Sequence, residues 1–385
     1  MWFFTGPSLA YGPGAIEFLA SLQSKKSMIV ADRALVKGGL VAPVVEQLTK
    51  AGAEVEVFGE VDPEPLMSRV QEGAEVARRF APDLIIGFGG GSAMDVAKAV
   101  YALYERPELT VYELTPIVDM VLGVKSRLVQ IPTTSGTGSE TTWATILTEG
   151  EGGRKLELAH RELVAKWAIL DPLLTRSMPA RLTADTGADA LCHAVESMSS
   201  DWSNPFSDAL AKEAVLLIFR YLPRAMKVAD DPDARENMHY AATMAGLSFG
   251  NSQVTIGHAL GHAFGSVFHV PHGRAVGLFL PYAIEYNFAS AKPKFGNLSQ
   301  VLGADSVRSP QDLSARVRSL WDEIGMVRTV PEIGGITRER FESSLPDLVR
   351  RTDESTCVTT NPRSPSKKEI EEIFRAAWDG RPVTL

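Results

Sequence analysis

The chain has 385 residues, of which 45% are hydrophobic and 22% are charged. This is the composition of an ordinary globular protein, and the length predicts two domains rather than one core. The formal net charge of −8 and the lack of basic clusters argue against a nucleic-acid partner, so a small-molecule partner is expected.

Three further features of the sequence predict its location. No apolar run reaches the roughly 18 residues of a membrane span. The apolar start of the chain stops at Gly6 and Pro7, without the pattern of a secretory signal. Two cysteines, Cys192 and Cys357, are too few for a disulfide framework. A cytoplasmic protein without a membrane partner is therefore predicted.

Taken in chain order, the first half alternates strand-like and helix-like segments. Short apolar or alternating runs predict strands at residues 27–31, 53–58, 84–88 and 128–131. Helical periodicity occupies the intervals between them, at residues 41–51, 67–80 and 92–104. This alternation of strand and helix predicts an α/β domain with a parallel, doubly wound sheet.

Helical periodicity dominates the second half of the chain. Helices are predicted at residues 184–200, 206–222, 235–249 and 255–267, and a last helix at 367–378 follows a polar loop at 352–366. No strand-like run of similar quality is found in this half of the sequence. We therefore predict an α/β domain over residues 1–180 and an all-α domain over residues 181–385.

A glycine-rich loop at residues 87–92 follows the third predicted strand and opens a helix. Glycines let the backbone approach a phosphate closely, and a helix N-terminus supplies free N–H groups. A tight strand-to-helix turn is the alternative, since Ser92 stands where the GxGxxG fingerprint has its last glycine. The candidate cofactor-binding residues of this segment are Gly89, Gly90, Gly91, Ser92 and Asp95.

A second polar loop, residues 132–139, follows the next predicted strand and contains five hydroxyl side chains. A solvated loop with helix caps is the alternative reading. Two such loops after adjacent strands favour a nucleotide at the carboxyl ends of the strands. The candidates here are Thr133, Thr134, Thr137 and Ser139. Asp32, which ends the first predicted strand, is either an ordinary loop aspartate or an acceptor for ribose hydroxyls that repels a 2′-phosphate.

Four of the seven histidines lie within fifteen residues, from His258 to His272. His258 and His262 are four residues apart and share one helix face, and Asp189 and His193 have the same spacing on another predicted helix. A lone histidine on an apolar helix is usually a core residue. Here the clustering and the small neighbours indicate a metal or catalytic site between helices.

Three of the seven histidines are less informative. His160 and His239 lack such neighbours and are predicted to lie at the surface. His269 lies within the cluster in sequence but is predicted not to be a ligand.

Taken together, the motifs resemble those of the iron-containing, group III alcohol dehydrogenases over essentially the whole chain. The matching motifs are Gly89-Gly-Gly-Ser-Ala-Met-Asp95, Ile131-Pro-Thr-Thr-Ser-Gly-Thr-Gly-Ser-Glu140, Asp171-Pro172, Asp189-Ala-Leu-Cys-His193-Ala-Val-Glu196, His258-Ala-Leu-Gly-His262, Pro271-His272-Gly273 and Asn361-Pro362-Arg363. The resemblance implies a dehydroquinate synthase-like fold, in which a dinucleotide-binding α/β domain precedes an all-α metal-binding domain.

The resemblance also implies roles for individual residues. The metal ligands it implies are Asp189, His193, His258 and His272. His262 matches a histidine near the metal that is not normally a ligand, and we expect it to relay the proton as the catalytic residue.

Cofactor and substrate residues follow from the same resemblance. The two polar loops, extended to Thr142, match the family's nucleotide loops, and Lys155 matches a basic residue at the cofactor. Asp32 matches an acid that favours NAD over NADP. The residues that match the substrate pocket are Trp143, Ala144 and Phe249. None of these three is charged, which favours a small, uncharged alcohol or aldehyde.

The implied reaction interconverts a small alcohol and its aldehyde or ketone by hydride transfer with NAD(H), while the metal polarises the substrate oxygen. Three imidazoles and a carboxylate suit Fe(II), Zn(II), Co(II) or Mn(II). The resemblance implies iron, with zinc as the alternative, and a homodimer.

Two other functions stay open. One is a metal-dependent lyase or synthase on a related scaffold, such as the dehydroquinate synthase relatives; the other is a non-catalytic metal or nucleotide sensor.

Overall fold

The structure is a computed structural model that describes residues 3–150, 153, 155–303 and 309–385. The chain divides into two compact units, Met1–Ser177 and Met178–Leu385. The sequence predicts this division after residue 180. Within the described residues, the first unit contains strands and helices, whereas the second contains helices alone.

The strands of the first unit fall into two groups. In chain order they are β1 (Ser8–Tyr11), β2 (Lys26–Asp32), β3 (Glu54–Val61), β4 (Leu84–Gly89), β5 (Arg127–Pro132), β6 (Ala144–Thr148), β7 (Lys155–Ala159) and β8 (Trp167–Leu170). Six of them form one sheet in the order β1-β8-β5-β4-β2-β3, with every neighbouring pair parallel. Strands β6 and β7 form an antiparallel hairpin. The predicted parallel, doubly wound sheet is confirmed.

Both faces of the sheet are buried, because successive side chains of a strand point to opposite sides. In β2, Met28 and Val30 pack into one hydrophobic cluster, whereas Ile29 and Ala31 pack into another. All four side chains are fully buried. The continuous apolar run in this strand therefore reflects burial on two faces.

The α-helices of the first unit are α1 (Arg33–Lys37), α2 (Ala42–Lys50), α3 (Met67–Phe80) and α4 (Gly91–Glu105). Helix α4 is buried at every position from Ala93 to Glu105. It is held to strand β6 by two hydrogen bonds at 2.9 Å: the Thr145 hydroxyl donates to the carbonyl of Asp95, and the Ile146 amide donates to its carboxylate. The buried Asp95 thus anchors the hairpin to the helix.

Strands β1 and β8 and the hairpin were not predicted from the sequence. Strands β1 and β8 contain four residues each, which is too short for an alternating pattern to be distinctive. The hairpin strands β6 and β7 contain five residues each. Each of these elements is defined by its pairing with another segment rather than by its own periodicity.

The second unit is built from helices in the residues that the structure describes. They are α5 (Ala180–Ser199), α6 (Pro205–Lys227), α7 (Pro232–Phe249), α8 (Ile256–Phe268), α9 (His272–Val301), α10 (Pro310–Ile324), α11 (Val330–Ile333), α12 (Arg338–Asp353) and α13 (Lys367–Asp379). The predicted all-α character is confirmed. The predicted loop at 352–366 is wrong in part, since α12 continues to Asp353 and a 3-10 turn spans Thr356–Val358.

Helix α5 is enclosed by other helices of this unit. It packs against α6, α7 and α9 and is buried at every position from Gly187 to Ser199. A helix that is buried all round normally carries apolar residues. The buried Asp189, His193 and Glu196 on α5 are therefore exceptions that require polar partners.

Helix α9 contains 30 residues and is not straight. Its backbone leaves helical geometry at Ala291 (φ −111°, ψ 15°), two residues before Pro293, as expected ahead of a proline inside a helix.

Among the described residues, no helix combines the length and the hydropathy that crossing a membrane requires.

Two histidines that the sequence predicts at the surface are buried, so that prediction is wrong. His160 is 8% exposed, and its side chain accepts a hydrogen bond from the Glu162 amide at 3.2 Å. His239 is 1% exposed on α7, a helix that packs against both α5 and α6. By contrast, His269 is exposed at the end of α8, with φ of +55°. Spacing along one helix does not reveal burial when other helices cover more than one of its faces.

The burial of His239 predicts a pH dependence of stability. Burial lowers the pKa of His239 from 6.5 to about 4. The unfolded chain therefore binds a proton at this residue more readily than the folded chain does. The contribution of His239 to the free energy of unfolding is present in full above pH 6.5. It is lost progressively as pH falls towards 4, by about 3 kcal/mol in total.

We expect the variant His239→Gln to lack this part of the pH dependence. The measurement is the free energy of unfolding by urea at several pH values between 4 and 7, for the wild type and the variant. Because other titrating groups are the same in both proteins, the difference between the two curves isolates His239. Parallel curves over this range would contradict the prediction.

Candidate functional site

The carboxyl ends of strands β2 and β4 form a switch point in the sheet. Strand β2 lies between β3 and β4, so the chain moves to one side of β2 and then to the other. Parallel α/β sheets bind ligands at such a point, beyond the carboxyl ends of the strands. Asp32 ends β2 and Gly89 ends β4 at this edge.

Asp32 and the glycine loop are in direct contact. The Gly90 amide donates a hydrogen bond to Asp32 Oδ2 at 3.1 Å. Gly89 has φ of +147°, and a Cβ at this position would lie 2.2 Å from the same Oδ2. Burial raises the pKa of Asp32 above its ordinary value, although the hydrogen bond from Gly90 acts in the opposite direction. Glycine at position 89 is therefore required for the close approach of Asp32.

The hydroxyl-rich loop lies beside the glycine loop. The Thr133 amide donates to the carbonyl of Gly89 at 2.9 Å. Thr134 Oγ1 is buried and has no hydrogen-bond partner. Buried hydroxyls normally have a partner, so Thr134 presents a group that an oxygen-rich ligand can satisfy.

Other side chains of these loops already have partners within the protein. The Ser92 hydroxyl donates to the carbonyl of Pro63 at 2.7 Å. Thr137 Oγ1 accepts a hydrogen bond from the Ser139 amide at 3.3 Å. A Cβ on Gly91 would lie 3.0 Å from Thr137 Cγ2, so the two loops are tightly packed at this position.

Lys98, which was not predicted as a site residue from the sequence, is fully buried on α4. Its Nζ donates to Ser139 Oγ at 2.8 Å, to Thr142 Oγ1 at 3.2 Å and to the Ala144 carbonyl at 2.7 Å. Asp95 lies 3.4 Å from the same Nζ and accepts a 2.6 Å hydrogen bond from Ser139. Burial lowers the pKa of Lys98, whereas Asp95 acts to raise it. Three predicted cofactor residues, Asp95, Ser139 and Thr142, thus belong to one buried polar network.

Three other predicted site residues lie on or beside the hairpin. Lys155 begins β7 and is exposed. Ala144 begins β6 and pairs opposite Ala159. Trp143 precedes it, and its carbonyl accepts a hydrogen bond from the His160 amide at 3.0 Å.

Four predicted metal ligands converge in the second unit. Asp189 and His193 come from α5, His258 from α8 and His272 from the first position of α9. One donor atom from each lies within 4.8 Å of the donor atoms of the others. Asp189 Oδ1 lies 3.6 Å from the Nε2 atom of His193, 3.7 Å from that of His258 and 3.3 Å from that of His272.

These separations fit four donors around one metal ion. Two donors that each lie about 2.1 Å from an ion, at a tetrahedral angle, are roughly 3.4 Å apart. Asp189 Oδ1 and His258 Nε2 are buried and lack hydrogen-bond partners, which is unusual for buried polar atoms. Nitrogen and oxygen donors in this combination suit a first-row divalent ion.

The charges of Asp189 and His193 suit a bound cation, whereas His258 must first lose a proton. Burial lowers the pKa of His193 to about 3, so its imidazole is neutral at pH 7. Burial would raise the pKa of Asp189, but His193 and His272 outweigh this effect and keep it well below its usual range. Burial would lower the pKa of His258, but Glu196 and Asp189 outweigh it and raise the pKa to about 9. Metal binding at His258 therefore competes with a proton.

His262 adjoins the cluster without being one of the four donors. It lies one turn after His258 on α8, and its ring centroid is 5.8 Å from that of His258 and 5.2 Å from that of His272. Phe249, a predicted substrate-pocket residue, ends α7 and stacks on His193, with ring centroids 4.1 Å apart and an interplanar angle of 15°. Phe249 thus orients a predicted ligand.

Glu196 is a further buried group beside the cluster that the sequence analysis did not assign. It is 2% exposed, and its Oε1 lies 3.0 Å from His258 Nδ1. Burial would raise the pKa of Glu196, but His258 and backbone amides outweigh it and lower the pKa below its usual value. The signal for its role was its position seven residues after Asp189, two helical turns along the same face of α5.

Comparison with known proteins gives the family. A family model described as iron-containing alcohol dehydrogenase matches residues 7–172. A second model, the C-terminal part of the Fe-containing alcohol dehydrogenase family, matches residues 183–378. The chain belongs to the iron-containing alcohol dehydrogenase family. The resemblance seen in the motifs is confirmed, and the matching family models and relatives are those of alcohol dehydrogenases.

Several relatives in this family align with nearly the whole chain. It is 35% identical to the NADPH-dependent butanol dehydrogenase of Clostridium saccharobutylicum, with 99% of each protein covered. It is 36% identical to aldehyde-alcohol dehydrogenase 2 of Entamoeba histolytica, covering 98% of this chain but 46% of that protein. The crystal structure of a 1,3-propanediol oxidoreductase matches with a TM-score of 0.92 and 32% identity, over 98% of this chain and 100% of that one. The chain thus spans about half of some relatives and essentially all of others.

Proposed function

We propose that this protein interconverts a small alcohol and its aldehyde or ketone by hydride transfer with NAD(H), using one bound divalent metal ion. The observation that carries the proposal is the convergence of four donors, from Asp189, His193, His258 and His272, in one mostly buried cluster. The polar loops at the switch point of the sheet support the dinucleotide part of the proposal.

The residues of this chain would have the following roles in the reaction. Asp189 and the three histidines would hold the ion, and the loops after β4 and β5 would hold the dinucleotide. When bound, the ion polarises the substrate oxygen as a Lewis acid, and the nicotinamide gives or takes the hydride. His262 would accept or return the proton at an imidazole nitrogen, since its ring adjoins those of His258 and His272.

Iron is the metal that we propose, with zinc as the alternative. Three imidazoles and one carboxylate suit both Fe(II) and Zn(II), so the donor set does not distinguish them. The description of the matching family favours iron. Elemental analysis of protein purified without added metal, together with activity after reloading with each ion, would identify it.

The substrate that we propose is small and uncharged. The candidate pocket residues Trp143, Ala144 and Phe249 carry no charge that would pair with an ionic substrate. Some relatives are named for butanol and 1,3-propanediol, which are uncharged alcohols.

The experiment that tests the proposed function follows NADH absorbance with a panel of short aldehydes and ketones, using protein of measured metal content. We expect metal-dependent consumption of NADH, abolished by a chelator and restored by Fe(II). A metal-loaded, folded protein that oxidises no NADH with any member of the panel, and reduces no NAD with the matching alcohols, would contradict the proposal.

We further propose that the protein prefers NAD(H) to NADP(H), because the carboxylate of Asp32 would repel a 2′-phosphate. Family membership does not decide this point, since one relative is named as NADPH-dependent. We expect Asp32→Gly to raise the ratio of kcat/KM for NADPH to that for NADH by roughly tenfold or more, because two like charges about 4 Å apart repel by several kcal/mol near a protein surface.

Asp32→Asn is the matched control for this prediction. Its amide oxygen still accepts the hydrogen bond from Gly90, whereas its charge is removed. If charge decides the preference, both variants relax it. A wild-type protein that already prefers NADPH, or an Asn variant with unchanged preference, would show that the Asp32 charge does not select the cofactor.

A homodimer and a cytoplasmic location complete the proposal. Strand β1 lies at one edge of the sheet, with Leu9 and Tyr11 39% and 69% exposed, and exposed edge strands often pair with another chain. Light scattering of the purified protein would give its mass in solution. Both cysteines, Cys192 and Cys357, are buried and form no disulfide, which suits a reducing compartment.

A further inference from the structure

Glu196 connects the helix that carries two predicted metal ligands with the helix that carries a third. It lies on α5, seven residues after Asp189. Its Oε2 accepts hydrogen bonds from the Thr255 amide at 2.7 Å, the Thr255 hydroxyl at 3.0 Å and the His258 amide at 3.2 Å. These donors surround the first turn of α8, where the helix dipole favours a negative charge.

The other carboxylate oxygen contacts the side chain of His258. Glu196 Oε1 lies 3.0 Å from His258 Nδ1. Since an ionised carboxylate can only accept a hydrogen bond, Nδ1 must carry the proton. A neutral imidazole with its proton on Nδ1 has its lone pair on Nε2. Nε2 is the atom of His258 that faces Asp189 Oδ1, at 3.7 Å.

The packing around this contact leaves little freedom. A Cβ on Gly257, the residue before His258, would lie 2.2 Å from Glu196 Oε1. Glycine at this position therefore lets the carboxylate reach the imidazole. His193 differs, because its Nδ1 is buried without a hydrogen-bond partner and its ring is oriented by stacking on Phe249.

We propose that Glu196 is a positioning residue of the metal site: it holds the proton of His258 on Nδ1 and fixes the ring so that Nε2 presents its lone pair to the ion. This inference rests on the proposed function, because it takes His258 to be a ligand. Carboxylates that bind the second nitrogen of a metal-bound histidine commonly change metal affinity by 10–100-fold when they are replaced.

Glu196→Gln tests the inference sharply because glutamine has the same shape and only one acceptor oxygen. Two backbone amides require that oxygen at the position of Oε2. The NH2 group of the glutamine then faces His258 Nδ1, which must become an acceptor and move the ring proton to Nε2. We expect affinity for Zn²⁺, used as the probe, to fall roughly 10–100-fold in competition with a chromophoric chelator.

Glu285→Gln is the matched control. Glu285 is 5% exposed on α9 and accepts hydrogen bonds from the Ser314 hydroxyl at 2.7 Å, the Val383 amide at 2.9 Å and the Arg318 guanidinium at 2.6 Å. It is not one of the four converging donors, so its replacement measures the general effect of neutralising a buried carboxylate in the same unit. We expect this variant to bind Zn²⁺ as the wild type does.

A second measurement needs no variant of Glu196. Protein labelled with ¹⁵N-histidine has seven imidazoles, and the signals of His258 can be assigned by their loss in His258→Gln. We expect the zinc-loaded wild type to carry the His258 proton on Nδ1. A proton on Nε2, or wild-type zinc affinity in Glu196→Gln, would overturn the inference. Loss of zinc affinity in Glu196→Gln would also overturn the inference if His258 of that variant keeps its proton on Nδ1.

His258→Ala separates this inference from the proposed function. If this variant keeps stoichiometric zinc at wild-type affinity, the proposed ligand set fails and the role of Glu196 fails with it. If it loses zinc while Glu196→Gln binds zinc normally, the ligand set stands and the inference about Glu196 alone is overturned.

Discussion

Replacing His258 with alanine is expected to remove the bound metal and, with it, the activity. Structural zinc sites bind with apparent free energies of roughly 10–16 kcal/mol. If four donors share that energy evenly, the loss of one costs about 3 kcal/mol, which lowers affinity more than a hundredfold. Elemental analysis after dialysis and the rate of NADH oxidation are the two measurements. We expect His272→Ala to behave in the same way.

His239→Gln serves as the control for a buried histidine outside the cluster. His239 is 1% exposed in the same helical unit and is not among the four converging donors. This variant should keep its metal and its activity at neutral pH. Full activity with stoichiometric metal in His258→Ala would remove that residue from the ligand set.

Replacing His262 with alanine is expected to have the second-largest effect, on turnover alone. Its ring adjoins those of His258 and His272, but its nitrogens do not join the four donors within 4.8 Å. General acid–base catalysis typically contributes 10²–10⁴-fold to a rate. We therefore expect kcat to fall by about that factor while metal content and folding stay close to those of the wild type.

His262→Gln distinguishes proton transfer from hydrogen bonding. Glutamine can donate and accept hydrogen bonds but does not titrate near neutral pH. If His262 relays a proton, the glutamine variant should be about as slow as the alanine variant. Recovery of most of the activity in His262→Gln would show that a hydrogen bond is sufficient, and loss of metal in His262→Ala would show that His262 is a ligand.

Local periodicity was enough to predict much of the fold. The bounds of α3, Met67–Phe80, coincide with the predicted segment because this helix is amphipathic along its whole length. The four-residue spacing of Asp189 and His193 likewise fixes their common helix face. The convergence of α5 with α8 and α9 is a tertiary feature. Spacing and clustering indicated a site between helices, but only the resemblance to a known family selected His272 as the fourth ligand.

Buried polar residues were the least predictable part of the site. Lys98 and Glu196 are enclosed by segments that are distant in sequence: the hairpin covers Lys98, and α8 covers Glu196. From the sequence alone, Lys98 and Glu196 cannot be distinguished from ordinary charged residues of a helix. His160 and His239 were misplaced for the same reason, since the number of neighbours that cover a helix or loop cannot be read from one segment.

The arrangement of Asp189, His193 and Glu196 along one side of α5 affects how the candidate metal centre responds to thermal motion. Backbone hydrogen bonds within a single helix fix the distances between these three positions. Sites carried by helices hold their geometry more closely than sites carried by loops. Because α5 is buried along this stretch, small rigid displacements of the helix carry the three side chains together. Fluctuations of the donor set should therefore arise mainly where α8 and α9 meet α5.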